Sequence, residues 1–488
     1  MLKPTSSEIQ SYAADYSMIP LCREIYADVT TPIALLRKIA QVSNRYCLLE
    51  SVEGGERWGR YSFLGYDPLV HIVCKDHVVT TEYADGRRES VTTDQPNDIL
   101  RALMAQYQAP RIEGFPPFTG GLVGYYAYRM IGYAEPTLHL RSSDVDDFDL
   151  MLFDKVIAYD HLSQKIDVIV NMPTDNVLEN YGTARAEIEK MIRLIREPMQ
   201  LPTAHKHCKP QFTCNVTKEE YCDIVNKTKQ HIVDGDIFQA VLSRRFETPY
   251  TDSLLDAYRV LRTTNPSPYM VYLHRDDIEL MSTSPETLVR LRNGRLSTFP
   301  VAGSRPRGAD KEQDLALEKD LLSDEKELAE HNMLVDLGRN DIGKLSQFGS
   351  VEVTDYQMIH RYSRIMHITS VVEGNILPKF DAFDAISTLL PAGTLSGAPK
   401  IRACEIIEEL EPCARGVYGG ALGYVDFTGN MDTCIAIRMA VKKNDRVTIQ
   451  AGGGIVADSV PENEYMESQN KAGAVIAAIE RAAEVDAD

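Results

Sequence analysis

Residues 421–471 read ALGYVDFTGNMDTCIAIRMAVKKNDRVTIQAGGGIVADSVPENEYMESQNK, and this stretch decides how the chain is read. It holds three strand-like runs, ALGYVDF, DTCIAIRMAV and RVTIQAGGGIV, with no helical pattern between them. Elsewhere, too, strands and helices fail to alternate regularly. This predicts a mixed α+β architecture with large antiparallel sheets rather than a Rossmann or barrel fold. After the glycine run Ala451-Gly452-Gly453-Gly454 come Glu464 and Glu467, whose three-residue spacing puts both carboxylates on one helical face, with Lys471 following on that face. A second pair, Glu327 and Glu330, stands in SDEKELAEH. For one pair alone a charged solvent face is the plainer reading. Two pairs, a cation and a bare-backbone turn point instead to a hard metal ion holding an anionic ligand.

Working outward, HIVCKDHVVTTEY leads through the turn Ala84-Asp85-Gly86 into RRESVTT, a hairpin signal. FDLMLFDKVIAYD and QKIDVIVN read as a further pair of strands, followed by a helical pattern from Thr183 to about Arg196. The polar, proline-bearing segment EPMQLPTAHKHCKPQ separates an N-terminal portion, 1–200, from a C-terminal portion, 215–488. Beyond it, KEEYCDIVNKTKQHIVDGD reads as an amphipathic helix ending at Gly235, with later helices through Asp310–Leu337, Phe383–Leu389 and Pro399–Glu409. His205, His207, Cys208 and Cys214 cluster in the connector, but their spacing matches no standard zinc pattern.

With 488 residues the chain can bury a large core, and 44% hydrophobic with 25% charged residues is ordinary for a globular protein. A net charge of −19 argues against nucleic acid or an anionic membrane as partner, so an anionic substrate needs a local cationic pocket. No apolar run approaches membrane-spanning length. Nine scattered cysteines with no C-x-x-C pair, and an N-terminal stretch without a leader pattern, make a reduced cytoplasmic location the expectation.

The second portion reads in order GDIFQAVLSRRF, NPSPYM, STSPETLVR, FPVAGSRPRG, ELAEHNMLVDLGRND, RIMHITSVVEG, PAGTLSGAPKIRACEIIEEL, GVYGGALGYVDF, IAIRMAV and AGGGIVADSVPENEYMESQNKA. This succession resembles the chorismate-utilising enzymes of the anthranilate synthase large-subunit type. The resemblance covers about Thr217 to Arg481 and extends into CLLESVEGGERWGRYSFLG and FTGGLVGYYAYRM. It implies sheets packed as a sandwich with helices on the outer faces. It implies Mg²⁺ held by Glu330 and Glu467, with Glu327 and Glu464 beside them or acting through water, against the ring carboxylate of chorismate. Arg438, on a strand, and the Gly452, Gly453 and Gly454 amides are expected to hold the enolpyruvyl carboxylate, with Tyr418 nearby and Lys471 pairing with carboxylates or substrate. Glu286 resembles the family's general acid, and His367 a residue supporting loss of pyruvate. Thr394 and Ser304 offer hydroxyls to the substrate; Ser304 stands where threonine is commoner.

Two positions choose among the relatives. Isochorismate- and salicylate-forming enzymes place a water-activating lysine where this chain has Gln239. Aminodeoxychorismate synthases often carry a nucleophilic lysine where this chain has Ala302. Attack by ammonia at C2 to give anthranilate is therefore the expected reaction, with aminodeoxychorismate synthesis the alternative. No G-x-C-x-G glutaminase segment is present, so the resemblance implies a separate glutamine amidotransferase subunit. It also implies a tryptophan-binding inhibitory pocket built from Glu50, Ser51, Pro268, Tyr269, Met270 and Tyr424. A carboxylate and a hydroxyl there can hold an ammonium while Pro268, Tyr269 and Met270 cover an indole.

Overall fold

A computed structural model describes residues 2–28, 30–51, 59–198, 209–361 and 365–485. His205, His207 and Cys208 lie outside these residues. Two large sheets organise the chain. One has 13 strands among the described residues and runs from the N-terminal strands through Lys165–Pro173, Lys155–Asp160, Tyr61–Tyr66 and Arg45–Glu50 to Tyr269–Arg275, Ile278–Ser284, Met439–Lys443, Arg446–Ile455 and Gln239–Pro249. The other has 12 and includes, in order, Val301–Pro306, Ile365–Asn375, Arg295–Thr298, Thr287–Arg292, Met431–Ile435, Ala421–Asp426, Gly121–Tyr126 and Phe148–Phe153. The pairings at the heart of both sheets are antiparallel. The α+β sandwich expected from the sequence is the observed fold.

Period-two alternation builds the layers. In Phe148–Phe153, residues Phe148, Leu150 and Leu152 join the core on the outer side of the second sheet, while Met151 and Phe153 join the core between the sheets. In Lys155–Asp160 the inter-sheet residues are Val156 and Ala158, and Ile157 and Tyr159 face the other way, into a core shared with helices Val177–Arg196, Leu255–Thr264 and Pro461–Glu480. Three apolar layers result: helix on sheet, sheet on sheet, and sheet on helix. The portions 1–200 and 215–488 share both sheets, because Arg45–Glu50 pairs with Tyr269–Arg275 and Gly121–Tyr126 with Ala421–Asp426.

Several runs that read as single strands are two. HIVCKDHVVTTEY turns at Asp76 and His77, both with positive φ, so a two-residue hairpin turn forms without the glycine that normally announces it. FDLMLFDKVIAYD breaks at Asp154, where the chain leaves the second sheet for the first. DTCIAIRMAV breaks at Ala436–Arg438 for the same reason, and Arg438 sits not on a strand but at φ 48° in this crossover. Ile278–Ser284 and Thr287–Arg292 make the third such passage, through Pro285 and Glu286. The apolar pattern runs on unbroken because both sheets bury it. The helical stretch 310–337 is likewise two helices, Lys311–Leu321 and Glu325–Gly343, the second capped by Asp324.

Candidate active site and an inter-sheet cavity

The glycines 452–454 lie within strand Arg446–Ile455 and not in a turn. They are glycines because of what approaches them. A Cβ on Gly452 would stand 2.0 Å from the Leu242 carbonyl oxygen; one on Gly453 would stand 3.1 Å from Glu464 Oε2 and 3.2 Å from Glu467 Oε1. One on Gly454 would stand 2.7 Å from Gln239 Nε2. The bare strand therefore forms a floor beneath Glu464, Glu467 and Gln239.

Helix Pro461–Glu480 brings Glu464, Glu467 and Lys471 to this floor. Lys471 donates to the Gly452 carbonyl at 3.1 Å and pairs with Glu467 at 2.7 Å. Helix Glu325–Gly343 supplies the other pair. Burial raises the Glu330 carboxyl above its ordinary range, and the negative charges of Glu327 and Glu467 add to the rise. Glu464 is raised in the same way, by burial and then, against a hydrogen bond from Ser459, by Glu467. The two Glu-x-x-Glu pairs, 137 positions apart in sequence (464 minus 327), thus crowd one space. Among the described residues no group of three or more His, Cys, Asp or Glu side chains converges as a preformed metal cluster.

Glu286 and Arg438 sit on neighbouring crossovers between the sheets, joined by the Ile435 amide donating to the Glu286 carbonyl at 3.0 Å and the Thr283 amide to the Arg438 carbonyl at 3.1 Å. Glu286 is a crossover residue, not the first turn of a helix. Burial raises its carboxyl, opposed by a 2.9 Å hydrogen bond from Thr394 and by the charges of Lys471 and Arg438. Burial lowers Arg438, whose guanidinium makes no hydrogen bond or ion pair among the described residues and feels Glu286 as its nearest countercharge. His367, on strand Ile365–Asn375, places Nδ1 3.0 Å from the Gly303 carbonyl oxygen, and burial lowers its pKa. Since a carbonyl only accepts, Nδ1 carries the proton and Nε2 the lone pair. Tyr418 is buried beside Arg415, Glu286 and the Gly452 backbone. Ser304 pairs in register with His367 on strand Val301–Pro306, but its side chain is exposed.

A pair absent from the sequence reading holds this site in place. Glu411 accepts from the Ser243 amide and hydroxyl, both at 2.7 Å, and from Arg415. Arg415 in turn donates to the Leu395 and Val241 carbonyls at 2.5 Å. Both side chains are about 2% exposed. They lock the Gly393–Leu395 turn, which carries Thr394, onto the strand that carries Gln239. In the sequence Arg415 looks like an ordinary loop cation, and only its place between Pro412 and the glycines 416, 419 and 420 hints at a buried turn.

A separate cavity of about 370 Å³ opens between the sheets, lined by Glu50, Ser51, Pro268, Tyr269, Met270 and Tyr424 together with Arg60, Phe115, Arg290 and Asp432. The structure thus gathers all six residues named for a second site. Glu50 differs from expectation. Its carboxylate is taken by Arg262 at 3.0 Å through both oxygens and by Tyr258 at 2.9 Å, so it shapes the wall and is not free for an ammonium group. The Ser51 hydroxyl is buried with no partner among the described residues.

The family model for chorismate binding enzyme matches residues 47–477. Anthranilate synthase component 1 of Acetivibrio thermocellus is 45% identical over 99% of this chain and 100% of its own length. The corresponding protein of Pseudomonas aeruginosa is also 45% identical, over 97% and 98%. The crystal structure of anthranilate synthase component I from Streptococcus pneumoniae superposes with a TM-score of 0.76 at 37% identity, covering 87% of this chain and 95% of that one. The menaquinone-specific isochorismate synthase MenF of Escherichia coli, at 18% identity and a TM-score of 0.70, shares the fold. The carboxylates crowded over a glycine floor, the buried Glu286 and the buried Arg438 thus sit in a chain that belongs to the chorismate-binding enzyme family.

Proposed function

We propose that the chain is the chorismate-converting component of an anthranilate synthase. It would take chorismate and ammonia to anthranilate and pyruvate, with ammonia supplied by a glutamine amidotransferase subunit. Near-full-length relatives at 45% identity support the assignment. The observation that carries the choice of reaction is Gln239. Its amide projects over Gly454 into the site, where a water-activating lysine would have to stand. An amide cannot take a proton from water, so an amine that needs no activation is the fitting nucleophile. Ala302, buried near Gly303, offers no covalent alternative.

In this reading Arg438 binds a substrate carboxylate, which would supply the countercharge it lacks. Glu286, its pKa raised by burial and its carboxyl held by Thr394, gives its proton to the departing C4 hydroxyl as the C2–N bond forms and water leaves. His367, neutral with Nε2 as lone-pair atom, supports the second step, in which a ring proton and pyruvate depart and the ring becomes aromatic. The oxygen-only donors Glu330 and Glu467, with Glu327 and Glu464 adjacent, fit a hard divalent cation, and their mutual repulsion is what such an ion relieves. When bound, Mg²⁺ would supply positive charge against the ring carboxylate.

Residues 215–488 carry the reaction, and 1–200 contribute to a pocket for inhibitory tryptophan. There Ser51 offers a hydroxyl, and Pro268, Tyr269 and Met270 cover an indole. A cytoplasmic setting fits the free thiols of the described cysteines, and among the described residues no helix is long and apolar enough to cross a membrane. The test is product analysis. Chorismate, ammonium and Mg²⁺ should give anthranilate fluorescence; accumulation of 4-amino-4-deoxychorismate or isochorismate overturns the reading. Glutamine should replace ammonium only when an amidotransferase subunit is added.

A further inference from the structure

Tyr269 belongs to two places at once. Its ring lines the inter-sheet cavity, and its hydroxyl reaches across the sandwich to the second sheet. There it donates to Asp432 Oδ1 at 2.8 Å, so its single proton is committed, and Thr287 Oγ1, 2.9 Å away, must donate to it. Arg290 completes the cluster by donating to Asp432 Oδ2 at 2.8 Å. Thr287 is the residue immediately after Glu286. It does not line the inter-sheet cavity; it lines the smaller recess on the active-site side, together with Glu286 and Thr394. Asp432 lies on strand Met431–Ile435, whose end donates to the Glu286 carbonyl and whose continuation is Arg438. One phenol hydroxyl is therefore bonded to both strands that lead into the two crossovers carrying Glu286 and Arg438.

We infer that the Tyr269–Thr287–Asp432 bridge transmits occupancy of the inter-sheet cavity to Glu286 and Arg438. The inference rests on the reading of that cavity as the inhibitor pocket. An aromatic amino acid wedged against the Tyr269 ring displaces its hydroxyl relative to Thr287 and Asp432. Both crossovers then shift together, because Thr287–Arg292 and Met431–Ile435 are paired neighbours in the second sheet, and either sliding alone breaks that ladder and a hydrogen bond to the Tyr269 hydroxyl. The coupling is a difference in ligand affinity between two arrangements of this bridge, so weakening the bridge weakens inhibition without removing the binding site.

The test compares two quantities within each protein: the Kd of L-tryptophan by calorimetry and the tryptophan concentration that halves ammonium-dependent anthranilate formation. Basal rate does not enter this comparison. In Thr287→Val, which leaves every residue lining the cavity in place, Kd should change less than threefold while half-inhibition rises at least tenfold or inhibition becomes incomplete. Tyr269→Phe, which keeps the ring, should show the same separation. Parallel shifts of Kd and half-inhibition in both variants, or unchanged inhibition, overturn the inference. If the unaltered protein binds no tryptophan, or binds it equally well after Ser51 and Met270 are replaced, the pocket reading itself fails and the bridge with it. That outcome is visible before any bridge variant is made.

Discussion

The inter-sheet cavity and the glycine-floored site handle charge in opposite ways. In the cavity the chain answers its own charges: Glu50 is matched by Arg262 and Tyr258, and Asp432 by Arg290 and Tyr269. In the site it does so only in part, through Lys471 on Glu467. Four glutamates crowd together, Arg438 lacks a partner among the described residues, and Glu286 is pushed toward its neutral form. Burying unanswered charge costs stability unless something else supplies the counterpart. The difference teaches that the first region is built to keep its shape, while the second has charges that, on the proposed function, an anionic substrate and a cation would balance.

Removing a carboxylate from the unfinished region should therefore cost activity and not stability. Glu467→Ala or Glu330→Ala should lower anthranilate formation by about 10³-fold or more. The melting temperature should hold or rise as like charges are thinned out. Near-normal turnover in both variants would break the assignment.

Glu286→Gln should lower kcat by roughly 10²–10⁴-fold, the usual contribution of a general acid. The pH profile adds a check on sign. A proton donor with a raised pKa stays competent to higher pH, so kcat/KM of the unaltered enzyme should fall as pH rises through the Glu286 pKa. The glutamine variant should lose that alkaline limb.

In the finished region the expectation reverses. Arg262→Met strands a carboxylate that is about 1% exposed, and should destabilise the fold by about 3–5 kcal/mol in denaturant titration. Adding Glu50→Gln should recover part of the loss, and no recovery would show that packing, not charge, was lost. A smaller effect belongs to Asp154, whose carboxyl is raised to about 6 by burial and whose Oδ1 has no partner among the described residues. Because the folded form holds this proton more tightly than the unfolded chain, stability is fullest below the unfolded value of 3.8 and declines as pH rises through 6. Asp154→Asn should therefore be more stable than the unaltered protein at pH 8, by up to about 3 kcal/mol, with the advantage vanishing near pH 4. Equal advantages at both pH values would contradict the titration.

The α+β class was legible because apolar patterning is local. The amphipathic run after the connector forms helix Lys218–Val233, and ALGYVDF and RVTIQAGGGIV form strands Ala421–Asp426 and Arg446–Ile455 where their apolar patterns place them. The breaks were not legible. At Asp154, Pro285–Glu286 and Ala436–Arg438 the chain changes sheets without losing its apolar pattern, since both flanking strands are buried on both faces. The carboxylate pairs were visible from spacing, but their meeting depended on two helices far apart in sequence. The Glu411–Arg415 lock and the commitment of Glu50 to Arg262 are tertiary facts with no local signal. Glycines 452–454 were read as a turn because glycine usually marks one. Here it marks the approach of Leu242, Glu464 and Gln239 from three sides.

The shared sheets bear on how such chains can be recombined. A chimaera joined in the connector between the two portions would have to reconcile two seams at once: Leu49 opposite Val271 in one sheet, and Gly124 opposite Gly423 in the other. At Gly121, which stands opposite Asp426 across that second seam, a Cβ would lie 2.2 Å from the Val425 carbonyl oxygen, so the seam tolerates neither a slipped register nor a bulkier residue there. Halves exchanged between relatives will therefore fold only when both seams come from parents that agree in register. The inter-sheet cavity, walled from both sides of the join, is inherited from neither half alone.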